Sequence, residues 1–361
     1  MRAPLLRTSL GVGQRRSCRG FSLVELMVAL TLGLILTVII GYAYLGSRQA
    51  FRVMETLSRI QENARYTFDK IGYDIRMAGF TGCSFNTIAN VLNNPTDWDT
   101  NLFGVPLVGY EEGGLYPVDI SANVLRGDAL TVLRADNSKE YIVASHNPPA
   151  AQLQLTANHD IKQGEILVIT DCRHAAIFQM TNVNNTNSID VIVHNSGNAT
   201  NPGNCTKGLG NPVPDPCTAN GTAYTFAPGS RILRLSAVTY YLRNNTAGEP
   251  ALYRQKLGAS GGNAVTTAEE LAEGVEDLQI TYGVDTSAPE DKAVDTYVAA
   301  DSVADWSRVL TVRISLLMVS RQGESITSSP QTYTFNGTTT TPTDRLLRKT
   351  FTTTISVRNR L

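Results

Sequence analysis

A carboxylate stands where an apolar segment begins, in the stretch GFSLVEL at residues 20–26. Five arginines and no acidic residue precede this stretch, and residues 26–45 carry no charge. A charged side chain inside a membrane span costs free energy, roughly 2.5–3.5 kcal/mol at the centre of a helix and less near the interface. Glu25 is therefore expected either to reach the lipid headgroups or to meet a cationic partner.

The cysteines are the second set of residues that could do chemistry, either by forming disulfides or by binding a metal. Cys18 lies among the arginines, and the other four cysteines form an even set in a polar body. Their spacings match no zinc signature, so two disulfides formed in an oxidising compartment are the simplest interpretation. Cys205 and Cys217 flank a loop rich in Gly and Pro, which leaves Cys83 to pair with Cys172. Other pairings and free buried thiols remain open.

Signatures of enzymes and of cofactor sites are not found in the sequence. It contains no G-x-S-x-G, H-E-x-x-H, P-loop or dinucleotide fingerprint. The four histidines, at positions 146, 159, 174 and 194, have no mutual metal spacing. The acidic stretch 285–295 lacks the glycine and the spaced ligands of an EF loop, so a solvated loop is preferred to a calcium site. We expect no catalytic residue, no metal and no cofactor.

Charge argues against a body that binds nucleic acid directly. The formal net charge of the whole chain is −1. Beyond residue 20, however, all 32 acidic residues face 26 of the 31 Lys and Arg residues, which gives −6. Bulk electrostatics therefore does not favour a polyanionic partner, although a local basic patch would.

One long helix must carry Glu25. About twenty apolar residues cross a membrane core, and the arginines before them keep the N-terminus in the cytoplasm. After Tyr44 apolar residues recur every three or four positions, which predicts one helix over 21–78 that stops at Gly79. A cleaved secretory signal is disfavoured because the apolar run is too long. A plain signal anchor remains the alternative.

The rest of the chain, residues 79–361, is predicted to form a β-rich head. Short β-branched or alternating runs recur, separated by Gly, Asn and Pro clusters. These runs are 129–134, 140–145, 165–170, 188–194, 232–243, 251–257, 278–285, 309–320 and 351–359. TTAEELAEGVEDL, residues 266–278, is predicted to be a short helix. The fold class is therefore α+β, with a long N-terminal helix packed on the head.

The junction at residues 20–26 resembles the type III leader of type IV pilins and of type II secretion pseudopilins. The resemblance implies that residues 1–20 are a cytoplasmic leader, and that a prepilin peptidase cuts between Gly20 and Phe21. It implies that Phe21 becomes the N-methylated first residue. It also implies that Glu25 attracts the amino terminus of a neighbouring subunit, so that filament subunits take the register that neutralises the carboxylate.

A second resemblance covers residues 232–361. The blocks LRLSAVTYYLR, LAEGVEDLQITYGVD, VLTVRISLLMVSR and FTTTISVRNRL are similar, in this order, to those of PilW-type minor pilins. The resemblance implies a low-abundance subunit that helps to initiate the type IV pilus and lies near its tip, and so supports twitching motility, adhesion or DNA uptake. A J-type minor pseudopilin of type II secretion is the nearest alternative. A tip module whose head contacts DNA or a host surface is another.

The resemblance also implies partners and a location. The partners are the prepilin peptidase, other minor pilins, the major pilin, the assembly platform in the inner membrane and a tip adhesin. The location is the bacterial inner membrane, crossed once with the head in the periplasm, and afterwards the pilus on the cell surface.

Replacement of Gly20 tests the cleavage site. Glycine lets a peptidase hold the backbone closely, so we expect Gly20→Ala to be processed and Gly20→Trp to retain the leader. Intact mass measured on membrane extracts reports both results. Normal processing of Gly20→Trp would refute the assignment of the junction.

Overall fold

The computed structural model describes residues 20–83, 87–183, 190–210, 217–321 and 326–358. Its contacts divide the chain into two units, Met1–Met54 and Glu55–Leu361. The first unit contains apolar helix, and the second contains the remainder of that helix together with a β-rich head. This arrangement confirms the α+β class.

The helices are α1 (Leu23–Arg76) and α2 (Val118–Ser121). The strands are β1 (Thr87–Asn90), β2 (Leu107–Tyr110), β3 (Ala129–Asn147), β4 (Gln152–Leu155), β5 (Ile166–Thr170), β6 (His174–Gln179), β7 (Asn182–Val183), β8 (Val191–Val193), β9 (Arg231–Asn244), β10 (Pro250–Ser260), β11 (Asn263–Glu273), β12 (Val275–Val284), β13 (Thr296–Val298), β14 (Val309–Val319), β15 (Tyr333–Phe335), β16 (Thr338–Thr340) and β17 (Arg348–Ser356). Single 3₁₀ turns occur at Pro148–Ala150, Ala300–Ser302 and Trp306–Arg308.

Helix α1 is 54 residues long and ends at Arg76, two residues before the predicted end at Ala78. The chain then turns at Gly79, whose φ of +73° is a left-handed conformation suited to glycine after a helix. Within the second unit, one face of α1 is buried at intervals of three or four residues, as helical periodicity requires. The buried positions on this face include Thr56, Ile60, Ala64, Thr67, Ile71 and Ile75.

Strand β9 organises the larger sheet, which has 11 strands. Along one edge β9 pairs with β3, and along the other it pairs first with β5 and then with β10. Strand β1 pairs with β6 in parallel, whereas β9 and its three neighbours are antiparallel. Strand β9 therefore connects β3, β5 and β10 within one sheet.

The smaller sheet lies against α1. Its strand order is β13-β12-β14-β17, and β15 and β16 form a separate hairpin. One apolar cluster unites the buried face of α1 with inward side chains of β12, β14 and β17, among them Ile280, Ile314 and Ile355. The same cluster includes residues of the larger sheet, among them Leu130 of β3 and Tyr240 of β9, so the main core of the head is shared by α1 and both sheets.

The helix predicted at 266–278 is wrong. The chain there forms β11, then a break at Gly274 with φ +73°, then β12. Strand β11 pairs with β10 along its length, and Gly261 and Gly262, both with positive φ, close the hairpin between Ser260 and Asn263. A two-residue loop of this kind imposes strand pairing. It overrides the helical propensity of the Ala, Glu and Leu residues that follow.

Each of the other predicted runs overlaps a strand, although the observed ends of the strands differ from the predicted ends. The run at 188–194 contains β8, but residues 188 and 189 lie outside the described residues. Between α1 and β3 the structure also has β1, β2 and α2, which the sequence did not indicate. These three elements have four residues each, too few to show a periodicity.

A buried carboxylate fixes α1 to the larger sheet. Asp74 is 4% exposed, accepts a hydrogen bond from the Nε of Arg134 on β3 at 2.9 Å, and accepts another from the hydroxyl of Tyr240 on β9 at 2.6 Å. The nearby carboxylate and its hydrogen bond raise the pKa of Arg134 despite the opposing effect of burial. The side chains of Arg134 and Asp74 are largely shielded from water, at 11% and 6% exposure.

Asp74→Ala tests this anchor. It removes the closer carboxylate from the partly buried guanidinium of Arg134, which keeps Asp136 at 3.2 Å, and it leaves the hydroxyl of Tyr240 without its acceptor. We therefore expect a loss of about 3 kcal/mol in the free energy of unfolding, the lower end for a broken buried pair. Asp69→Ala is the matched control on the same helix, because Asp69 and Arg65 are exposed and 4.0 Å apart. We expect it to change stability by less than about 1 kcal/mol. Urea unfolding of the full chain in detergent, followed by tryptophan fluorescence, measures both; equal losses would contradict the anchor.

Candidate functional site

The predicted cleavage junction lies just before α1. Residues 1–19 of the leader lie outside the described residues, while Gly20 and Phe21 are exposed and precede the first helical turn. A Cβ built on Gly20 meets no atom within 4 Å. The described residues therefore give no steric reason for glycine at this position. A requirement for glycine would have to come from another molecule.

Glu25 forms a capping box with Ser22. The backbone N–H of Ser22 donates to Glu25 Oε2 at 2.9 Å, and the backbone N–H of Glu25 donates to Ser22 Oγ at 3.2 Å. This reciprocal pair satisfies two backbone donors at a helix start that no earlier turn can satisfy. The sequence analysis missed this second role, although the pattern S-x-x-E ahead of an apolar run is its known signature.

The capping geometry leaves the carboxylate of Glu25 available to a cation. In these contacts Ser22 engages one oxygen of the carboxylate, Oε2. The side chain also lies in the first turn of α1, where the helix dipole favours negative charge. The local fold thus holds an acidic group in place at the N-terminal end of an apolar helix.

The helix that follows Glu25 is long and apolar enough to cross a membrane, judged by length and composition. No residue in its most apolar window is buried within the described structure. Apolar side chains that find no protein neighbours need another non-aqueous environment. A lipid bilayer or the apolar surfaces of other subunits would provide one.

The structure brings the four cysteines of the body together in two pairs. Cys83 is bonded to Cys172, with Cα atoms 5.4 Å apart, and joins the segment after α1 to the turn between β5 and β6. Cys205 is bonded to Cys217, with Cα atoms 5.5 Å apart. The loop enclosed by the second disulfide includes residues 211–216, which lie outside the described residues. This is the pairing that the sequence favoured.

The acidic stretch 285–295 is a loop folded on its own carboxylates. Asp285 accepts backbone hydrogen bonds from Ser287, Asp291 and Lys292, and Asp295 accepts one from Thr286. The carboxylate oxygens thus accept hydrogen bonds that stabilise the turns of the loop. Within the described residues, no group of three or more His, Cys, Asp or Glu side chains could hold a metal ion.

Two histidines that are distant in sequence meet inside the head. The ring centroids of His146 and His194 are 5.4 Å apart, and Phe178 lies 5.4 Å from His194. His194 is fully buried, and neither ring nitrogen has a hydrogen-bond partner in the described part of the chain. Burial lowers the pKa of His146 to about 4, and burial together with His146 lowers the pKa of His194 to about 3. Both rings are therefore neutral at pH 7.

Two regions of the chain match known protein families. Residues 15–41 match the prokaryotic N-terminal methylation motif. Residues 239–359 match the family described as Type IV Pilus-assembly protein W. Comparison with curated proteins and comparison with solved structures gave no match.

The first match supports a prepilin leader at the start of the chain. With the second, it supports a type IV pilin of the PilW type and confirms the resemblance stated above. The leader and the apolar helix suggest a single-pass membrane anchor. The two matches also suggest interaction with a prepilin peptidase and with components of the pilus.

The histidine pair predicts a dependence of stability on pH. The pKa of His194 is lowered on folding, so between pH 6.5 and about 3 the unfolded chain binds more protons than the folded chain. Stability therefore falls as pH falls through this range. At pH 5 the contribution of His194 is a loss of about 2 kcal/mol.

His194→Leu removes this contribution and keeps an apolar side chain in the core. We expect urea midpoints at pH 7.5 and pH 5.0 to differ less in this variant than in the wild type. Asp128 acts in the opposite direction, because burial raises its pKa to about 7, but it is common to both proteins. Identical differences in midpoint for variant and wild type would show that His194 does not titrate as described.

Proposed function

We propose that this chain is a minor pilin of the type IV pilus, which helps to initiate assembly and lies at or near the tip with other minor pilins. The observation that carries the proposal is the match of residues 239–359, within the head, to Type IV Pilus-assembly protein W. It favours the pilus over a type II secretion system as the machine that this subunit serves. Through assembly the subunit would support twitching motility, adhesion or DNA uptake.

The proposed maturation begins at the junction. A prepilin peptidase cuts between Gly20 and Phe21 and methylates the new amino terminus on Phe21. This leaves the helix start with Ser22 and Glu25 close to a free end. The lack of any internal contact that requires glycine at position 20 supports recognition by an outside enzyme.

The proposed assembly step is electrostatic. The carboxylate of Glu25 attracts the methylated ammonium group of a neighbouring subunit in a region of low dielectric constant, where opposite charges interact strongly. A subunit inserted out of register would leave both charges unpaired, which is unfavourable in such a region. The apolar helix supplies the helix-to-helix contacts, and Glu25 selects their register.

The proposed role of the head is structural and not catalytic. Its partners would be other minor pilins, the major pilin, the assembly platform in the inner membrane and a tip adhesin. The negative charge beyond residue 20 disfavours direct binding of nucleic acid by the head. The subunit would reside in the inner membrane with its head in the periplasm and then pass into the pilus.

The first experiment is intact-mass and N-terminal analysis of the protein from membranes and from sheared pili. A chain that begins at N-methyl-Phe21 and is found in pili with other minor pilins would support the proposal. A chain that retains Met1 to Gly20 and is confined to membranes would refute it and indicate a plain signal anchor.

The capping box allows the charge of Glu25 to be tested separately from its helix-capping role. Glu25→Gln keeps a side chain that can cap the helix but removes the charge, whereas Ser22→Ala removes the hydroxyl and keeps the charge. We expect both variants to be cleaved. We expect Glu25→Gln to enter sheared pili at least about tenfold less than wild type, the effect of losing about 1.4 kcal/mol.

Ser22→Ala is expected to enter pili at close to the wild-type level. Quantitative mass spectrometry of membrane and pilus fractions gives both ratios. If Glu25→Gln enters pili as the wild type does, the charge does not set the register. If Ser22→Ala fails as severely as Glu25→Gln, capping of the helix is the function of the pair.

A further inference from the structure

The last strand of the smaller sheet has one open edge. Strand β17 pairs with β14 along its whole length, from Arg348 opposite Val319 to Ser356 opposite Thr311. No other strand among the described residues pairs with β17, although β15 lies close to its start, where the guanidinium of Arg348 is 5.6 Å from the ring of Tyr333. An unpaired edge presents a row of backbone donors and acceptors and can template the addition of another strand.

The other terminal strands of the two sheets are less suitable. Strands β1, β7 and β13 have four, two and three residues. Strand β11 is as long as β10, but Asn201 bonds to the backbone of Ala264 and to the side chain of Asn263 at one end. Its exposed part carries Glu269 and Glu270, and charges on an edge discourage strand pairing.

Beyond the exposed Lys349 near its start, strand β17 has little of the usual protection of an edge. Residues 350–356, TFTTTIS, contain no charge, no proline and no glycine, and the pairing with β14 shows no bulge. Arg348 is already engaged by Glu276 at 2.6 Å and by Asp344 at 2.7 Å. Natural sheets rarely leave an uncharged stretch of this length, rich in β-branched residues, on an edge unless it is used.

The inner face of this edge is also incompletely covered. Phe351, Thr353 and Ile355 lie opposite the core residues Leu316, Ile314 and Val312 of β14, so they point toward α1. Ile355 is buried, but Phe351 and Thr353 are only partly buried. Phe68 of α1 is likewise partly buried against the same cluster. A strand added beside β17 would cover this apolar surface as well as the backbone.

We propose that the open edge of β17 binds an extended segment of another pilin subunit by strand addition, in support of the assembly role proposed above. The backbone of β17 gives affinity, and alternate side chains give specificity. The segment has β-branched or apolar residues on the side of Phe351 and Ile355. It has polar residues on the side of Thr352 and Thr354.

Charge indicates that the occupant is a different subunit and not a second copy. Lys349 and Arg358, at the two ends of the edge, are exposed and have no ion pair in the described part of the chain. Strand β17 has no acidic residue to offer them. A segment with carboxylates near its ends fits better, because opposite charges across paired strands are stabilising and like charges are not.

A pair of matched lysine variants tests strand addition. Thr353→Lys places a charge on the inward side of the edge, a device by which natural sheets block pairing. Its ammonium can still reach water because Thr353 is partly exposed. Thr352→Lys places the same charge on the same strand but on the outer face. Both variants are made in the full chain and assayed for leader removal, urea midpoint and recovery in sheared pili.

We expect both variants to lose the leader and to retain a urea midpoint close to that of the wild type. We expect recovery of Thr353→Lys in pili to fall at least tenfold, and that of Thr352→Lys to stay within twofold of wild type. Wild-type recovery of Thr353→Lys would overturn strand addition while leaving the pilin assignment intact. A wild-type chain that keeps its leader would instead refute the proposed function on which the inference rests.

A photo-crosslinking residue at Thr354 identifies the occupant independently of variant stability. In cells that assemble pili, we expect a crosslink to another pilin, in a segment whose sequence alternates as described. The Thr353→Lys change in the same chain should abolish it. A crosslink to a second copy of this chain, to lipid only, or to a helical segment of a partner would overturn the proposal.

Discussion

The interaction on which the head depends is the buried contact of Asp74 with Arg134 and Tyr240. The apolar stripe of α1 repeats every turn, so apolar packing alone would tolerate a shift along the axis by about 5.4 Å. The contact of Asp74 does not tolerate such a shift, because the shift would separate this buried carboxylate from both Arg134 and Tyr240. We interpret Asp74 as the residue that fixes the position of α1 against β3 and β9, while Ile60, Ala64 and Ile71 supply most of the burial.

The two carboxylates near the ends of α1, Glu25 and Asp74, differ in where their cationic partner is found. Asp74 meets its cation inside the chain, and folding alone completes that contact. Among the described residues Glu25 contacts only Ser22, which satisfies hydrogen bonds of the helix start but does not neutralise the charge of the carboxylate. If a neighbouring ammonium group neutralises it, one helix carries two register devices, one for the fold of the subunit and one for its place in the filament. The capping box keeps the unassembled subunit from fraying at its first turn.

Much of the fold could be predicted because its signals are local. The apolar run, the helical stripe and Gly79 defined α1, and β-branched runs defined most long strands. The 266–278 segment failed because its composition favours helix, while the Gly261–Gly262 turn and the pairing with β10 favour strand. Asp74 was missed for another reason: an aspartate on an amphipathic helix is usually solvated. Yet positions 60, 64, 67, 71 and 74 follow one helical face, so the spacing contained the signal. The meeting of His146 with His194 had no local signal, since it depends on the pairing of distant strands.

The close approach of α1 to β17 gives the open edge a consequence for the helix. A Cβ on Gly72 would lie 3.4 Å from the Cδ1 of Ile355, which is van der Waals distance, so α1 packs directly against the last strand at this point. A segment added to β17 would therefore lie next to α1 as well as next to the sheet, and it would cover Phe351 and Phe68 together. Docking at the edge and the fixed position of α1 would then stabilise each other, because both reduce the exposure of the same apolar cluster. A head that binds its neighbour in this way would hold its helix more firmly once assembled than before.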